Sequence, residues 1–430
     1  MESDVLVTIL SLVIALSILV FAHELGHYAA AKRSGVVVEE FGFGYPPRLL
    51  ALWRTGGKIV IGGNEIKIPR RFGLPAGLAA GSLVVYETAI DGKGRPILSR
   101  IEEADPVSQA ALPASAVQFL DPGTIFSVNA IPFGGFAKMR GEEDPTALGS
   151  LASKRKLVRM AVLAAGAGMN LLLAVGFFAL AFGLGAPAVA DPENAVVNAV
   201  TPGSPAEAAG LQLKDIILRA DDTAILTILS LQEYTQAHLG EPIVLTLQRG
   251  DQTLQITVVP RVDPPAGEGP IGIGLGPRTM VKHYPWYEAI WGGLKQTVAL
   301  SVFTLTVPIQ IIRGLIPADL ARPVGPVGVG QLVGGAVQYS LDTGWWYPAM
   351  QMMGMLSVAL AITNLLPLPG LDGGRILFVI VEGIRGRRLD PAKEGLVHLI
   401  GMALLVALML FITWQDVVHP LPTVDWSTLF

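Results

Sequence analysis

The chain has 430 residues, of which 51% are hydrophobic and only 15% charged, and its mean hydropathy of +0.52 is that of a protein built around a membrane. A formal charge of -4 and a pI near 5.9 leave no basic footprint, and no arginine-rich or zinc-finger stretch is present, so there is no nucleic acid partner to look for. With no cysteine there are no disulfides, and any bound metal must be held by nitrogen and oxygen donors.

Crossing a bilayer takes about 20 residues of apolar helix. Residues 5–31, 157–187 and 352–384 provide that length, and residues 396–414 provide a fourth candidate. The first of these opens with Glu2 and Asp4 where a cleavable signal carries basic residues, and its apolar run is too long for one, so a retained span is expected. Residues 284–316 are interrupted by Lys295, Gln296, Gln310 and Arg313, which favours a helix lying in the interface over a short extra span. Basic flanks stay in the cytoplasm. Lys32 and Arg33, then Lys154, Arg155, Lys156 and Arg159, then Arg385, Arg387 and Arg388 all flank spans on one side. Glu2, Asp4, Asp191, Glu193 and Asp416 flank them on the other. The expected topology has the N-terminus outside, residues 32–156 inside, the region from Asp191 to about Ala349 outside, and the C-terminus outside.

The first span contains FAHELGHYAA, residues 21–30. Residues four apart stack on one face of a helix, so His23 and His27 can offer imidazole nitrogens to one cation while Glu24 leans over the same point. This is the spacing of zinc hydrolases. Two histidines satisfied by neighbouring helices are the alternative, but an ionisable group in a span costs roughly 2.5 to 3.5 kcal/mol and usually marks function. Catalytic zinc takes a third protein ligand and keeps a position for water. The stretch NLLPLPGLDGGRILF, residues 364–378, carries Asp372 among Pro367, Pro369, Gly370, Gly373 and Gly374. Broken helix at membrane depth is tolerated only where protein or a watery cavity satisfies the freed backbone. His23 lies nine residues before Lys32 and Asp372 ten before Glu382, so the two motifs reach similar depth. Asp372 is therefore a candidate third ligand, with a salt-bridge partner or a turn-forming aspartate as the alternative.

HELGH in a first span, paired with NxxPxxxxDG in a later one, resembles the site-2 protease family of intramembrane zinc metalloproteases. IPFGGFAKMRGEED (residues 131–144), AGAGMNLLLAV (165–175) and GPVGV (325–329) resemble its PDZ-containing bacterial branch, in the order that branch uses. The resemblance implies Zn2+ held by His23, His27 and Asp372, with Glu24 activating water and Asn364 on the substrate side. It implies single-span membrane proteins as substrates, such as membrane-tethered anti-sigma factors or leftover signal peptides. It also implies a bacterial plasma (inner) membrane location, with the active site near the cytoplasmic face. AGAGMN departs from the pattern, since relatives often carry proline after the glycine.

IPFGGFAKMR alternates loosely around Gly134 and Gly135 and is a candidate strand edge on which an extended substrate adds as a further strand. FGFGYPP, residues 41–47, reads as an adjacent turn-rich hairpin. Residues 56–122 are rich in Gly, Pro and Ala without helical period, and an insertion with some strand content is preferred there to a regulatory domain. Residues 191–276 resemble a bacterial PDZ domain, with a short helix from Ala206 to Ala209, a second near residues 231–239, strands IVLTLQR and TLQITVVP, and IGIGLG as a closing strand. Such a domain can bind peptide ends along a groove or act as a size filter. His238, His283, His398 and His419 lack ligand spacing, and Trp286, Trp291, Trp345, Trp346 and Trp414 sit where rings anchor at the headgroups.

The expected molecule is a polytopic α-helical membrane protein of about four transmembrane helices. It carries an extracytoplasmic α/β PDZ domain and a membrane-associated β element after the first helix. Residues 284–349 form the interfacial helix and GPVG region. Competing readings are a PDZ scaffold on a degenerate protease core, opposed by the intact HELGH and LDG motifs, and a transporter, which gains nothing from HExxH spacing.

Overall fold

The computed structural model of the chain describes residues 2–104, 114–141, 146–265, 267–315, 322–421, 424 and 426. The Glu142 to Asp144 end of the IPFGGFAKMRGEED motif and residues 105–113 of the insertion lie outside the described residues. Contacts divide the chain into two units, one of Met1–Ala179, Ile290–Asp342 and Ala349–Pro422, the other of Leu180–Ala289, Thr343–Pro348 and Thr423–Phe430.

In the first unit, α1 (Glu2–Arg33) is almost uniformly apolar until the HELGH turn, and its N-terminal half exposes Leu6, Ile9, Leu10 and Ile14. A helix apolar all round is at home in lipid or a core. After it come β1 (Val38–Arg54), β2 (Gly57–Ile61), β3 (Asn64–Ile68), β4 (Leu83–Ile90), β5 (Pro96–Glu103), β6 (Ser115–Asp121) and β7 (Ile125–Met139). β1 and β7 are long, bent, and paired twice: residues 38–43 lie between residues 125–128 and 135–139, and residues 48–54 pair again with residues 125–129. The sheet therefore reads 48–54, 125–129, 38–43, 135–139 across its width, with residues 135–139 at one edge. This corrects the expected FGFGYPP hairpin. The two arms flanking that bend do not pair with each other, because residues 125–129 lie between them.

The insertion is more ordered than its composition suggests. β2, β3, β5, β4 and β6 close into a barrel around Ile59, Ile61, Ile66, Ile68, Val84, Leu98 and Val117. Alternation of β-branched residues in GKIVI and NEIKI fills the interior, and closure leaves no free edge.

α2 (Lys156–Gly185) follows, and after the second unit the chain continues as α5 (Trp286–Ile312), α6 (Pro326–Thr343), α7 (Tyr347–Leu365), α8 (Asp372–Arg385) and α9 (Pro391–Val418). Five helices, α1, α2, α5, α7 and α9, are long and apolar enough to cross a membrane. α5, expected in the interface, is an unbroken helix of 27 residues and meets that length. The expected third span, residues 352–384, is two helices, α7 and α8, separated at the Pro-Leu-Pro-Gly stretch. α6 escaped the sequence pattern. Its glycines weaken helix propensity, yet Gly334 lies against Thr8 of α1, where a Cβ would come within 2.7 Å of the Thr8 Cα. At the start of α6, the buried Asp416 of α9 accepts the Gly328 N–H at 2.8 Å.

The second unit comprises β8 (Ala186–Val200), α3 (Pro205–Ala209), β9 (Ile216–Ala220), β10 (Thr223–Ala224), α4 (Ile228–Ala237), β11 (Ile243–Arg249), β12 (Gln252–Val258) and β13 (Ile273–Lys282). Its sheet runs β12-β11-β9-β8-β13, with β10 paired to β9. Leu231 of α4 packs with Ile217, Ile243, Leu245 and Leu247 in the core. Asp215, fully buried, is held by two 2.7 Å bonds from Arg249, which fixes the entry to β9.

Truncating Ile61→Ala should destabilise the barrel by about 2 to 5 kcal/mol, because Ile61 is completely buried. Limited proteolysis should then cut first within residues 57–121 while the helices stay intact, a pattern that mass spectrometry of the fragments checks directly.

Candidate metal centre

Three helices build the site. HELGH lies near the end of α1, and i, i+4 spacing sets the His23 and His27 rings 4.7 Å apart, edge to face. Asp372 opens α8, immediately after the Pro/Gly break. His23 Nε2 lies 3.0 Å from Asp372 Oδ2, His27 Nε2 lies 3.2 Å from the same oxygen, and the two nitrogens are 3.0 Å apart. Both histidines are buried, and Asp372 is nearly so. Among the described residues this is the one group of three His, Asp or Glu side chains whose donor atoms all lie within 4.8 Å of one another.

Why the rings point this way follows from α2. The Val162 carbonyl accepts the His27 Nδ1–H at 2.9 Å, which leaves the Nε2 lone pair facing Asp372 and His23. Three electron pairs directed at one point repel unless a cation lies among them. Donors of a tetrahedral zinc ion, at about 2.0 to 2.1 Å from the metal, stand about 3.3 Å apart, close to this triangle. The residues fit a divalent ion with two imidazole nitrogens and one carboxylate oxygen.

Close approach of α2 depends on two glycines. A Cβ on Gly166 would stand 2.4 Å from His27 Nε2 and 2.6 Å from His23 Nε2. On α1, a Cβ at Gly26 would meet the Ala165 carbonyl oxygen at 2.3 Å. The glycine of HELGH and Gly166, the first glycine of α2, thus let the backbones touch. The buried Asn170, one turn beyond Gly166, stands 3.5 Å from His23 Nδ1, where its amide oxygen, in the flipped orientation, would accept that proton.

Glu24 lines the same cavity of about 300 Å³, and its Oε2 accepts the backbone N–H of Ala137 at 3.1 Å. Ala137 belongs to the edge run of the β1·β7 sheet, so its outward amide is aimed at the site. Asn364, in the last turn of α7, also lines the cavity, as do Tyr45, Leu360 and Leu371. Gly134 and Gly135 fall at the bend of β7. Gly134 has φ +68 and donates its N–H to Ser17 Oγ at 3.3 Å, and a Cβ there would strike Val20 at 2.8 Å. Gly135 packs on Phe21. Val162, Gly166, Asn170 and Tyr45 were missed in the sequence. The AGAGMN motif signalled α2, but a backbone carbonyl carries no signal of its own.

His23, Glu24, His27 and Asp372 around one cavity among long apolar helices define a metallopeptidase class of site. Comparison with known proteins gives the same class: a family model, peptidase family M50, matches residues 11–90 and 108–408. The chain belongs to that family, the site-2 proteases, and is a membrane zinc metalloprotease. It is similar to the zinc metalloprotease RasP of Oceanobacillus iheyensis, 28% identical over 435 residues that cover 95% of this chain and 98% of that one. It is similar also to RasP of Geobacillus kaustophilus, 29% identical over 439 residues (96% and 98%). The protease eep of Enterococcus faecalis is 26% identical over 438 residues (95% and 98%).

Gly166→Ala should displace both rings and weaken zinc binding by at least about 100-fold, the upper end for outer-shell changes at metal sites. Gly168→Ala, with open space around its Cβ, should leave zinc content unchanged. Metal analysis of the two purified variants, alongside circular dichroism, tests the contrast.

Proposed function

We propose that this zinc metalloprotease hydrolyses peptide bonds within the membrane segments of single-span proteins, with His23, His27 and Asp372 as zinc ligands and Glu24 as the general base. The observation that carries the reading is the convergence of two imidazoles and a carboxylate beside a second carboxylate, all in one cavity lined by the ends of α1, α7 and α8. Bound zinc supplies a Lewis acid that polarises the scissile carbonyl and brings the pKa of a water molecule near neutrality. Glu24 accepts the water's proton at its carboxylate and delivers it to the leaving amine. Asn364, which lines the same cavity, offers its amide to the substrate carbonyl.

A helical substrate hides its carbonyls in hydrogen bonds and must be extended before attack. Strand addition along residues 135–139 supplies that extension. The substrate carbonyl takes the Ala137 N–H that Glu24 now holds, and Glu24 is thereby released to act as base. Gly134, with its left-handed backbone, lets the strand turn tightly against α1, and Gly135 opens the edge to which the substrate adds. Exposed Leu49, Leu50, Leu52 and Trp53 on the paired arm suit a membrane-associated element.

The second unit is read as the PDZ domain. β13 is an edge strand, and a groove lined by Leu231, Thr235, Ile271 and Ile273 runs between it and α4, which favours capture of an extended peptide end over a size filter alone. Basic flanks support an orientation with Arg385 and Lys156 in the cytoplasm and the N-terminus and the PDZ domain outside a bacterial plasma membrane. α5 is assigned to the interface. Arg322, ten residues beyond Ile312, bonds Asp416 and the His419 carbonyl at the outer end of α9.

Glu24→Gln should abolish cleavage, by at least about 100-fold as for loss of a general base, while bound zinc persists. Coexpression of each form with single-span membrane proteins should show fragments that persist uncut only with the variant. Equal cleavage by both forms would remove Glu24 from the chemistry.

A further inference from the structure

α8 does more than begin at Asp372. Ile376, Val379 and Glu382 follow Asp372 at helical spacing on one face, and Ile376 and Val379 pack in one cluster with Val158, Val162 and Leu163 of α2. At the far end of this seam Arg159 Nη1 donates to Glu382 Oε2 at 2.5 Å, and both residues are buried, at 8% and 3% exposure. Lys156 Nζ donates to the Glu382 carbonyl at 3.2 Å, and the Leu389 N–H reaches Glu382 Oε1 at 3.4 Å. α2 thus meets the metal site twice over: Val162 and Gly166 set the two imidazoles, while Arg159, one turn before Val162, grips the helix that brings the carboxylate.

Buried ion pairs add little stability, because desolvation offsets the attraction and apolar replacements are often neutral or better. Their better-attested use is to fix register. The seam needs such a device. Valine, leucine and isoleucine surfaces interlock without a unique axial position, and a slip of one residue moves a helix about 1.5 Å along its axis and turns it about 100°. That displacement is enough to carry Asp372 Oδ2 out of the 3.0 and 3.2 Å contacts it makes with the imidazoles.

We propose that Arg159 and Glu382 are positioning residues that lock the register of α8 against α2, and so hold the Asp372 carboxylate at the point to which α2 directs His23 and His27. This rests on the reading that those three residues bind zinc. The pair lies about 15 Å along α8 from Asp372, so it acts only through the helix.

The test uses the full chain purified in detergent, with zinc affinity read by competition against a chelating dye and the unfolding midpoint read on the zinc-free protein. Variants are Glu382→Gln, the charge-free double variant Arg159→Gln/Glu382→Gln, and Asp372→Asn. Register locking predicts that both Glu382 variants bind zinc about tenfold more weakly, the lower end for outer-shell partners of a metal ligand. The zinc-free double variant should keep the wild-type unfolding midpoint, since it leaves no unpaired buried charge. Zinc affinity within twofold of wild type in the double variant overturns the proposal. So does failure of the double variant to fold without zinc, which would make the pair a stability element. Asp372→Asn separates the layers: unchanged zinc affinity there sinks the ligand assignment itself, whatever Arg159 and Glu382 do.

Discussion

Three lone pairs aimed at one point beside a cavity are the constraint on which this structure turns. His23, His27 and Asp372 come from opposite ends of the chain, yet their donor atoms stand 3.0 to 3.2 Å apart. Without a cation such an arrangement is repulsive, and with one it is the donor set of a hydrolytic zinc ion. Every nearby feature serves that convergence. Gly26 and Gly166 thin the α1·α2 contact, the Val162 carbonyl fixes one imidazole, and the Pro/Gly break lets Asp372 enter as the first residue of α8.

The same economy of space brings the β element to the site. Gly134, with its left-handed backbone, turns β7 against Val20, so that the next residues run past Glu24 and Ala137 offers it an amide. Gly42 plays the matching part in β1, where a Cβ would collide with Asn129, Phe136 and Ser127. In the proposed mechanism, an edge strand that points an N–H at Glu24 couples strand addition to the chemistry, because one donor cannot serve both a substrate carbonyl and a carboxylate at full strength. Further from the site, the barrel of β2 to β6 has its own core and reaches α1 through the Lys32–Asp121 pair at 3.3 Å.

Much of this was legible in the chain. HELGH announced its own geometry, since helical spacing alone stacks His23 on His27, and the depth count placed Asp372 within reach. The helices α1, α2 and α9 cover the expected apolar runs to within a few residues at each end, because continuous apolar runs leave little choice of structure, whereas the expected third span divides into α7 and α8. The failures share a cause. α6 was hidden by glycines that look like helix breakers in sequence but act as contact points against Thr8 and Asp416. The barrel was hidden because five short strands of mixed burial give weak alternation until closure supplies their partners. Val162 and Asn170 were invisible for a simpler reason: orienting a ligand is a property of where α2 lies in space, and neither a backbone carbonyl nor one asparagine in an apolar run declares it.

X-ray absorption at the zinc edge addresses the central claim most directly. The zinc-loaded protein should show nitrogen and oxygen neighbours at about 2.0 to 2.1 Å, the multiple-scattering signature of two imidazoles, and no sulfur. Asp372→Ala should remove one oxygen neighbour and leave both imidazoles in place. A spectrum with fewer than two imidazoles, or one that Asp372→Ala does not change, would contradict the account.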